Sequence, residues 1–361
     1  MNKNTPLRIG AVGCGMLSSS MHIPAIMRIP ELDLVALCDI NPERLQAIAS
    51  KHGATRTFTD MEEMLDNCEL DGVSIVGPPS LHVSGAKLCL QRQIPFMTEK
   101  PLTTTLDEAR ELAELAKKYG DCGMVGFTSR FSPANRLARQ ISRSPEFGQI
   151  SYIATTHLTQ CSMPKSIWGI EDFAESFVKL HGVHAIDLWR FYGGDPVEVS
   201  ASIAAFKVAE DGQSANGSIL VHVRSEGGPH GTIHMKSGAS HNGDINADVM
   251  GEWSRVRMEN DQTLNYENAR GGLRQMMADD ILADTLLPDT PVGQFVGTGL
   301  QHFSYYPDFF RFEWMAFARS LQRGLPLSPS IQDAYKTTCL MEAICESLHG
   351  GGVSCQLSAV S

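Results

Sequence analysis

Short apolar runs alternate with amphipathic stretches through the first 125 residues. The runs at 7–12, 34–38, 72–76, 95–98 and 124–127 read as strands, with helices predicted over 42–52 and 106–119. The second helix carries Asp107 and Glu108 in its first turn and Lys117 and Lys118 in its last, each matching the sign of the helix dipole there. Strand and helix in alternation predict a doubly wound parallel sheet. After about residue 145 the pattern changes to period-two alternation at 150–157, 197–206, 218–223, 231–235 and 253–258, expected to be antiparallel. Helical patterns follow at 173–192, 308–323 and 331–348. The span 268–306 has no clear period and reads as long loops, of the kind that carry substrate or subunit contacts. The fold class expected is therefore α/β: a parallel sheet over 1–125, then an α+β domain over 126–361 with a large open, mainly antiparallel sheet.

A length of 361 residues agrees with two cores rather than one. The net charge of −11 disfavours nucleic acid and anionic membrane as partners, because both require clustered Lys and Arg to neutralise phosphates. A small-molecule ligand is the expectation that remains. Nine cysteines run from Cys14 to Cys355 without a C-x-x-C pair, which suits a reducing compartment, and the cytoplasm is the expected location. Arg8 and the glycines of 7–17 fit a strand and turn better than a signal-peptide core, and no run of 18 apolar residues is present to cross a membrane.

The first motif with chemistry is Ile9-Gly10-Ala11-Val12-Gly13-Cys14-Gly15-Met16-Leu17-Ser18, whose pair Gly13 and Gly15 comes directly after the first predicted strand. Gly13 permits a tight turn, and Gly15 lets main-chain N–H groups approach a pyrophosphate. Ser18 holds the third small position, where Gly or Ala is usual. Met16 and Leu17 belong to the same turn and are expected beside the cofactor. Asp39 ends the second strand at the offset of the acid that accepts hydrogen bonds from the adenosine ribose. Together these features predict a Rossmann domain. A carboxylate at that point repels a 2′-phosphate and no Arg follows it immediately, so NAD is expected in preference to NADP.

Two further segments extend the pattern: Gly77-Pro78-Pro79-Ser80-Leu81-His82 and Thr98-Glu99-Lys100-Pro101. With Arg130-Phe131 and Gly182-Val183-His184-Ala185-Ile186-Asp187, they resemble the Gfo/Idh/MocA family, which includes glucose-fructose oxidoreductase and inositol dehydrogenase. The resemblance implies that Lys100 reaches both the nicotinamide ribose and the substrate hydroxyl, and that Pro78, His82 and Glu99 lie at the cofactor. It also implies a homo-dimer or homo-tetramer. The chemistry agrees, since a cation beside an alcohol oxygen stabilises the developing alkoxide.

His184 is the candidate general base, because imidazole titrates near neutral pH. Phe173, Phe177, Leu180, His184, Leu188 and Phe191 also recur at helical spacing, so periodicity alone reads His184 as core; the resemblance favours function. Members that oxidise polyols carry Asp four residues before this His, one helical turn away, where this chain has Leu180. Lys179 and His181 flank that position but point about 100° to either side on an α-helix. His181 and Arg130 are candidate substrate contacts, with Arg130 equally suited to tying the domains together, and Asp187 an orienting residue. No metal site is expected, because His181 and His184 have no carboxylate or cysteine pattern beside them. Phe303, Tyr305 and Tyr306 beside His302 fit either a sugar pocket or loop packing.

The function expected is an NAD-dependent enzyme exchanging hydride with a hydroxyl or ketone of a sugar, polyol or sugar derivative. Two alternatives use the same residues. One is an NAD-dependent glycosidase acting by transient oxidation and elimination; the other is a nucleotide-sensing regulator without turnover.

Overall fold

In the computed structural model, the structure describes residues 5–53, 56–164, 167–240, 244–261, 263–269, 301–302 and 306–357. The chain divides into two units, residues 1–127 with 306–338 and residues 128–305 with 339–361.

In the first unit, β1 (Leu7–Val12), β2 (Leu32–Cys38), β3 (Thr57–Phe58), β4 (Gly72–Ile75), β5 (Phe96–Glu99) and β6 (Gly123–Gly126) form one sheet. Its order is β3-β2-β1-β4-β5-β6 and every pairing is parallel. β4, β5 and β6 are buried along their whole length, which is why they read as continuous apolar runs rather than alternating ones. The strand order reverses between β1 and β4, and ligands of such sheets bind outside the carboxyl ends at that reversal. Asn41 caps the helix Pro42–His52 by accepting the Arg44 N–H, and Thr105 does the same for Leu106–Tyr119 through the Glu108 N–H.

The helix Pro79–Arg92 is absent from the sequence pattern. Its buried residues Pro79, His82, Val83, Gly85, Ala86, Cys89 and Leu90 include Pro, His and two-sided small positions, so no single apolar stripe marks it. The helices Met61–Asn67 and Pro133–Ser142 were likewise not expected. Other boundaries move by a residue or two at element ends, except that the strand expected over 218–223 starts four residues earlier and runs Ser214–Arg224.

The second unit holds a ten-stranded sheet in the order β15-β14-β13-β12-β7-β11-β10-β9-β16, with β8 (Met163–Pro164) pairing β10. Its members are β7 (Tyr152–Leu158), β9 (Glu198–Val208), β10 (Ser214–Arg224), β11 (His230–Lys236), β12 (Asp244–Met250), β13 (Ser254–Glu259), β14 (Thr263–Asn268), β15 (Gln301–His302) and β16 (Cys355–Gln356). All its pairings are antiparallel except β7 with β11, which run parallel, correcting the antiparallel expectation for those two strands. Between them the chain passes through helices and the β9–β10 hairpin, the long crossover that a parallel neighbour requires. β12 and β14 escape the pattern; in β12, outward Asp244, Asn246 and Asp248 are weak strand formers around inward Ile245, Ala247 and Val249.

The single helix expected over 173–192 is instead three pieces: Phe173–Phe177, a π-helical turn Val178–Gly182, and Val183–Gly193. Gly182 explains the close packing there, since a Cβ would sit 2.3 Å from Met235 Sδ on β11. Within the span expected as loops, 301–302 form β15, while Phe303 and Tyr305 lie outside the described residues.

Candidate functional site

The glycine-rich turn follows β1 at the sheet's reversal. Gly13 has φ +88°, and a Cβ there would lie 1.9 Å from the Val76 carbonyl oxygen, so only glycine fits. At Gly15 a Cβ would meet no atom within 4 Å, leaving an open cradle beside the main chain. Met16 is 86% exposed and Leu17 36%, and Ile40 after β2 is 89% exposed, so apolar side chains stand in solvent at both loops. Ser18 is buried and its hydroxyl has no hydrogen-bond partner among the described residues, the consequence of placing Ser where close packing asks for Gly or Ala.

Asp39 is buried and engaged. Its Oδ2 accepts the Cys14 N–H at 2.7 Å, its Oδ1 accepts the Asn41 N–H at 2.8 Å, and the Arg44 guanidinium stands 3.5 Å from Oδ2. The carboxylate therefore straps the glycine turn to the end of β2. Arg44 is the cation that a search for an immediately following Arg misses. Burial pushes the Cys14 thiol up to about 12, leaving it a packing residue rather than a nucleophile.

Beyond β4, Pro78 precedes the helix Pro79–Arg92 in extended conformation. His82 in its first turns is buried, donates from Nδ1 to the Pro101 carbonyl at 2.9 Å and accepts the Gly77 N–H on Nε2 at 3.4 Å. Burial lowers its proton affinity. The two ring nitrogens thus brace the main chain leaving β4, at Gly77, and the main chain leaving β5, at Pro101. Glu99 ends β5 as a buried carboxylate; Oε1 lies 3.0 Å from His22 Nε2 and Oε2 accepts the Lys100 N–H at 3.0 Å. Burial alone would push Glu99 up, but the His22 hydrogen bond and the Lys100 charge hold it below the usual carboxylate range. Burial pulls the Lys100 amine down, with Glu99 opposing.

In the second unit, His184 lies on Val183–Gly193, 9% exposed, stacked on His157 of β7 with ring centroids 5.6 Å apart and planes 11° from parallel. His181, half-buried, meets His157 edge-on at 5.9 Å. Thr155 of β7 donates to the Ala185 carbonyl at 2.9 Å and fixes the helix over the strand. His157 went unnoticed in the sequence, although its place in the buried alternation Ile153, Thr155, His157 was a signal: an ionisable ring on an inward strand position. Among the described residues no group of three or more His, Cys, Asp or Glu is arranged to hold a metal ion.

Leu180 is buried within the π-helical turn, so the four-residue spacing to His184 is not one regular α-turn. Lys179 is committed elsewhere, 2.7 Å from both Glu175 and Glu342. Arg130 makes a two-pronged bond to Asp187, each prong 2.6 Å, and lies over the Phe191 ring. Asp187 therefore orients Arg130.

Residues 7–127 match the profile of an oxidoreductase family with an NAD-binding Rossmann fold, and residues 135–257 match the GFO/IDH/MocA C-terminal domain. D-glucoside 3-dehydrogenase of Escherichia coli (strain K12) is 27% identical over 209 residues, 56% of this chain; the chain spans 59% of that relative's length. Inositol 2-dehydrogenase of Acidothermus cellulolyticus is 24% identical over 351 residues, covering 96% of this chain and 94% of the relative. A structure of levoglucosan dehydrogenase in complex with NADH and levoglucosan has the same fold, with a TM-score of 0.81 at 20% identity, covering 98% of this chain and 100% of that one.

Proposed function

The chain belongs to the Gfo/Idh/MocA family of oxidoreductases with an NAD-binding Rossmann domain, and we propose that it exchanges a hydride between NAD(H) and a hydroxyl or ketone of a sugar, polyol or sugar derivative. The observation that carries this reading is Lys100 at the carboxyl end of a parallel strand, its main-chain N–H anchored by buried Glu99 and its amine within reach of the Glu99 charge. The site fits the dinucleotide: Gly13 cannot be replaced, Gly15 leaves a cradle that a Cβ would fill, and a carboxylate at Asp39 closes the ribose end.

Bound NAD supplies the hydride acceptor or donor. The Gly15 main chain, open where a Cβ would stand, approaches its phosphates while the Gly13 and Cys14 N–H groups hold the turn to Cys38 and Asp39, with Met16, Leu17 and Pro78 packing along it. Asp39 keeps the turn in place and disfavours a 2′-phosphate, while His82 and Glu99 fix the main chain around Lys100. Lys100 stabilises the developing alkoxide. His184 takes or returns the hydroxyl proton, with His157 and His181 forming its imidazole surroundings, and Arg130 and His181 contact substrate. In this assignment residues 1–125 bind cofactor, and 126–361, apart from the stretch 306–338 that belongs to the first unit, serve substrate and subunit contacts in a homo-dimer or homo-tetramer. The relatives named for sugar and polyol oxidation support the substrate class.

No described helix is long and apolar enough to cross a membrane. The cytoplasm is the compartment assigned, on nine cysteines that are all free thiols, among them buried Cys14, Cys38, Cys68, Cys89 and Cys345.

The test is a panel of glucosides, inositols and anhydrosugars assayed with NAD for NADH absorbance, and of the matching ketones with NADH. Separate titrations with NADH and NADPH are expected to favour NADH at least tenfold, about 1.4 kcal/mol, with Asp39→Ala narrowing the difference. Absence of turnover across the panel with intact NADH binding would replace this reading with a sensing role.

A further inference from the structure

A chain of hydrogen bonds runs from the interior of the first unit to the main chain of Lys100. Trp314 is fully buried on the helix Tyr306–Arg323, and its indole N–H donates to His22 Nδ1 at 3.2 Å. His22, itself buried just before the helix Ile23–Met27, faces Glu99 Oε1 with Nε2 at 3.0 Å. The other Glu99 oxygen accepts the Lys100 N–H at 3.0 Å. An indole nitrogen only donates, so the His22 nitrogen facing it must be the bare acceptor. The ring proton of a neutral His22 is then on Nε2, where it donates to the carboxylate. Phe310, edge-on to the His22 ring at 4.9 Å, holds the ring plane.

We propose that Trp314 is a positioning residue, fixing His22 as the Nε2–H tautomer and through it the Glu99 carboxylate that anchors the Lys100 main chain. Every link is donor to acceptor in one direction, from indole to imidazole to carboxylate, and the carboxylate closes the chain by accepting the amide. Removing the indole N–H frees Nδ1 to carry the proton. The Nδ1–H tautomer presents a bare Nε2 to Glu99, two acceptors 3.0 Å apart, and the carboxylate must then turn away. The link to catalysis rests on the reading of Lys100 as the hydride-site cation; the tautomer does not.

The whole chain labelled with 15N-histidine tests this, with the His22 signals assigned by their loss in His22→Gln. At pH 7.5 the unsubstituted protein is expected to show a bare Nδ1 and a protonated Nε2. A protonated Nδ1, or signals averaged between tautomers, overturns the proposal whether or not any variant folds. In Trp314→Phe, which keeps an aromatic ring in place, the tautomers are expected to mix and the Lys100 amide to exchange with solvent at least tenfold faster. Unchanged exchange would disconnect Lys100 from the chain. With a substrate from the panel, Trp314→Phe is expected to lower kcat about tenfold while NADH affinity stays within twofold. An unchanged kcat would limit the chain to a structural role. If the unsubstituted protein turns over nothing, the proposed activity fails, and the tautomer and exchange results still decide the positioning role.

Discussion

Burying an amine costs free energy unless an anion stands near it, and Lys100 shows both halves of that balance, with burial lowering its proton affinity and Glu99 offsetting only part of the fall. The same proximity suits a cation needed only as negative charge grows on an alcohol oxygen. Lys100→Met is therefore expected to cut turnover by about 10² to 10⁴, the size of effect from a lost electrostatic or proton-transfer group. His184→Asn should cost a similar factor if the imidazole moves the proton. NADH affinity and melting temperature, measured beside the rates, are expected to change little. Near-normal turnover in both folded variants would return His184 to the core that its periodicity suggests. Lys100, Glu99 and His184 were legible because each sits in a short motif whose spacing survives without a structure. His157 and Trp314 were not, since they reach their partners from elsewhere in the chain: Trp314 meets His22 across 292 positions, whereas Arg44 is only five residues from Asp39 but not immediately after it.

Elements carry energetic consequences of their own, clearest in the turn between β13 and β14. Asn260 and Asp261 there both adopt positive φ, near +56° and +55°. Asp261 is buried; its carboxylate accepts from Ser129 Oγ at 2.7 Å and Asn135 Nδ2 at 2.6 Å, and its carbonyl accepts from Ser132. Burial outweighs these bonds and raises the carboxyl well above the usual carboxylate range, to about 6. The folded chain thus holds this proton more tightly than the unfolded chain. Its contribution is present below about pH 4 and is lost as pH rises through about 6. Asp261→Asn imitates the protonated group and tolerates the positive φ. Its stability advantage over the unsubstituted protein, from urea unfolding, is expected to widen by about 1 kcal/mol between pH 5 and pH 7.5. A gap that stays constant or narrows would show that Asp261 is ionised without penalty. At this scale the sequence disclosed which segments are strands better than how they pair. The alternation of β7 and β11 is the same whether they run parallel or antiparallel, and direction is set by the crossover between them. The π-helical turn at 178–182 was invisible for a related reason, because the close approach of Gly182 to Met235 that accompanies it joins distant segments.

At the scale of the molecule, period-two and continuous apolar runs distinguished the two sheets, but which stretches share a unit is written in long-range packing such as Phe317 against Gly72. The ten-stranded sheet has one side filled by buried residues, Ile153, Val221, Ile233 and Val249 among them. Its other side is partly exposed and polar, and much of its hydrogen bonding is internal. Tyr152 pairs with Thr232 at 2.9 Å, Ser218 with His234 at 2.8 Å, and Arg255 with Asp248. A second copy can cover such a face without stripping these groups of partners, so the desolvation cost of association is small. The homo-oligomer proposed above is therefore expected to use this face and to bury at least about 1,000 Å². Each subunit carries a net charge of −11, so copies repel at long range and added salt should strengthen the assembly rather than loosen it. Light scattering at micromolar concentration should give the mass of a dimer or tetramer, rising or holding between 0.05 and 0.5 M salt. Thr156→Arg, on an outward position of β7, should reduce that mass while leaving the circular dichroism spectrum unchanged. A monomer in the unsubstituted protein removes the oligomer, and an unaltered mass in Thr156→Arg moves the contact to another surface.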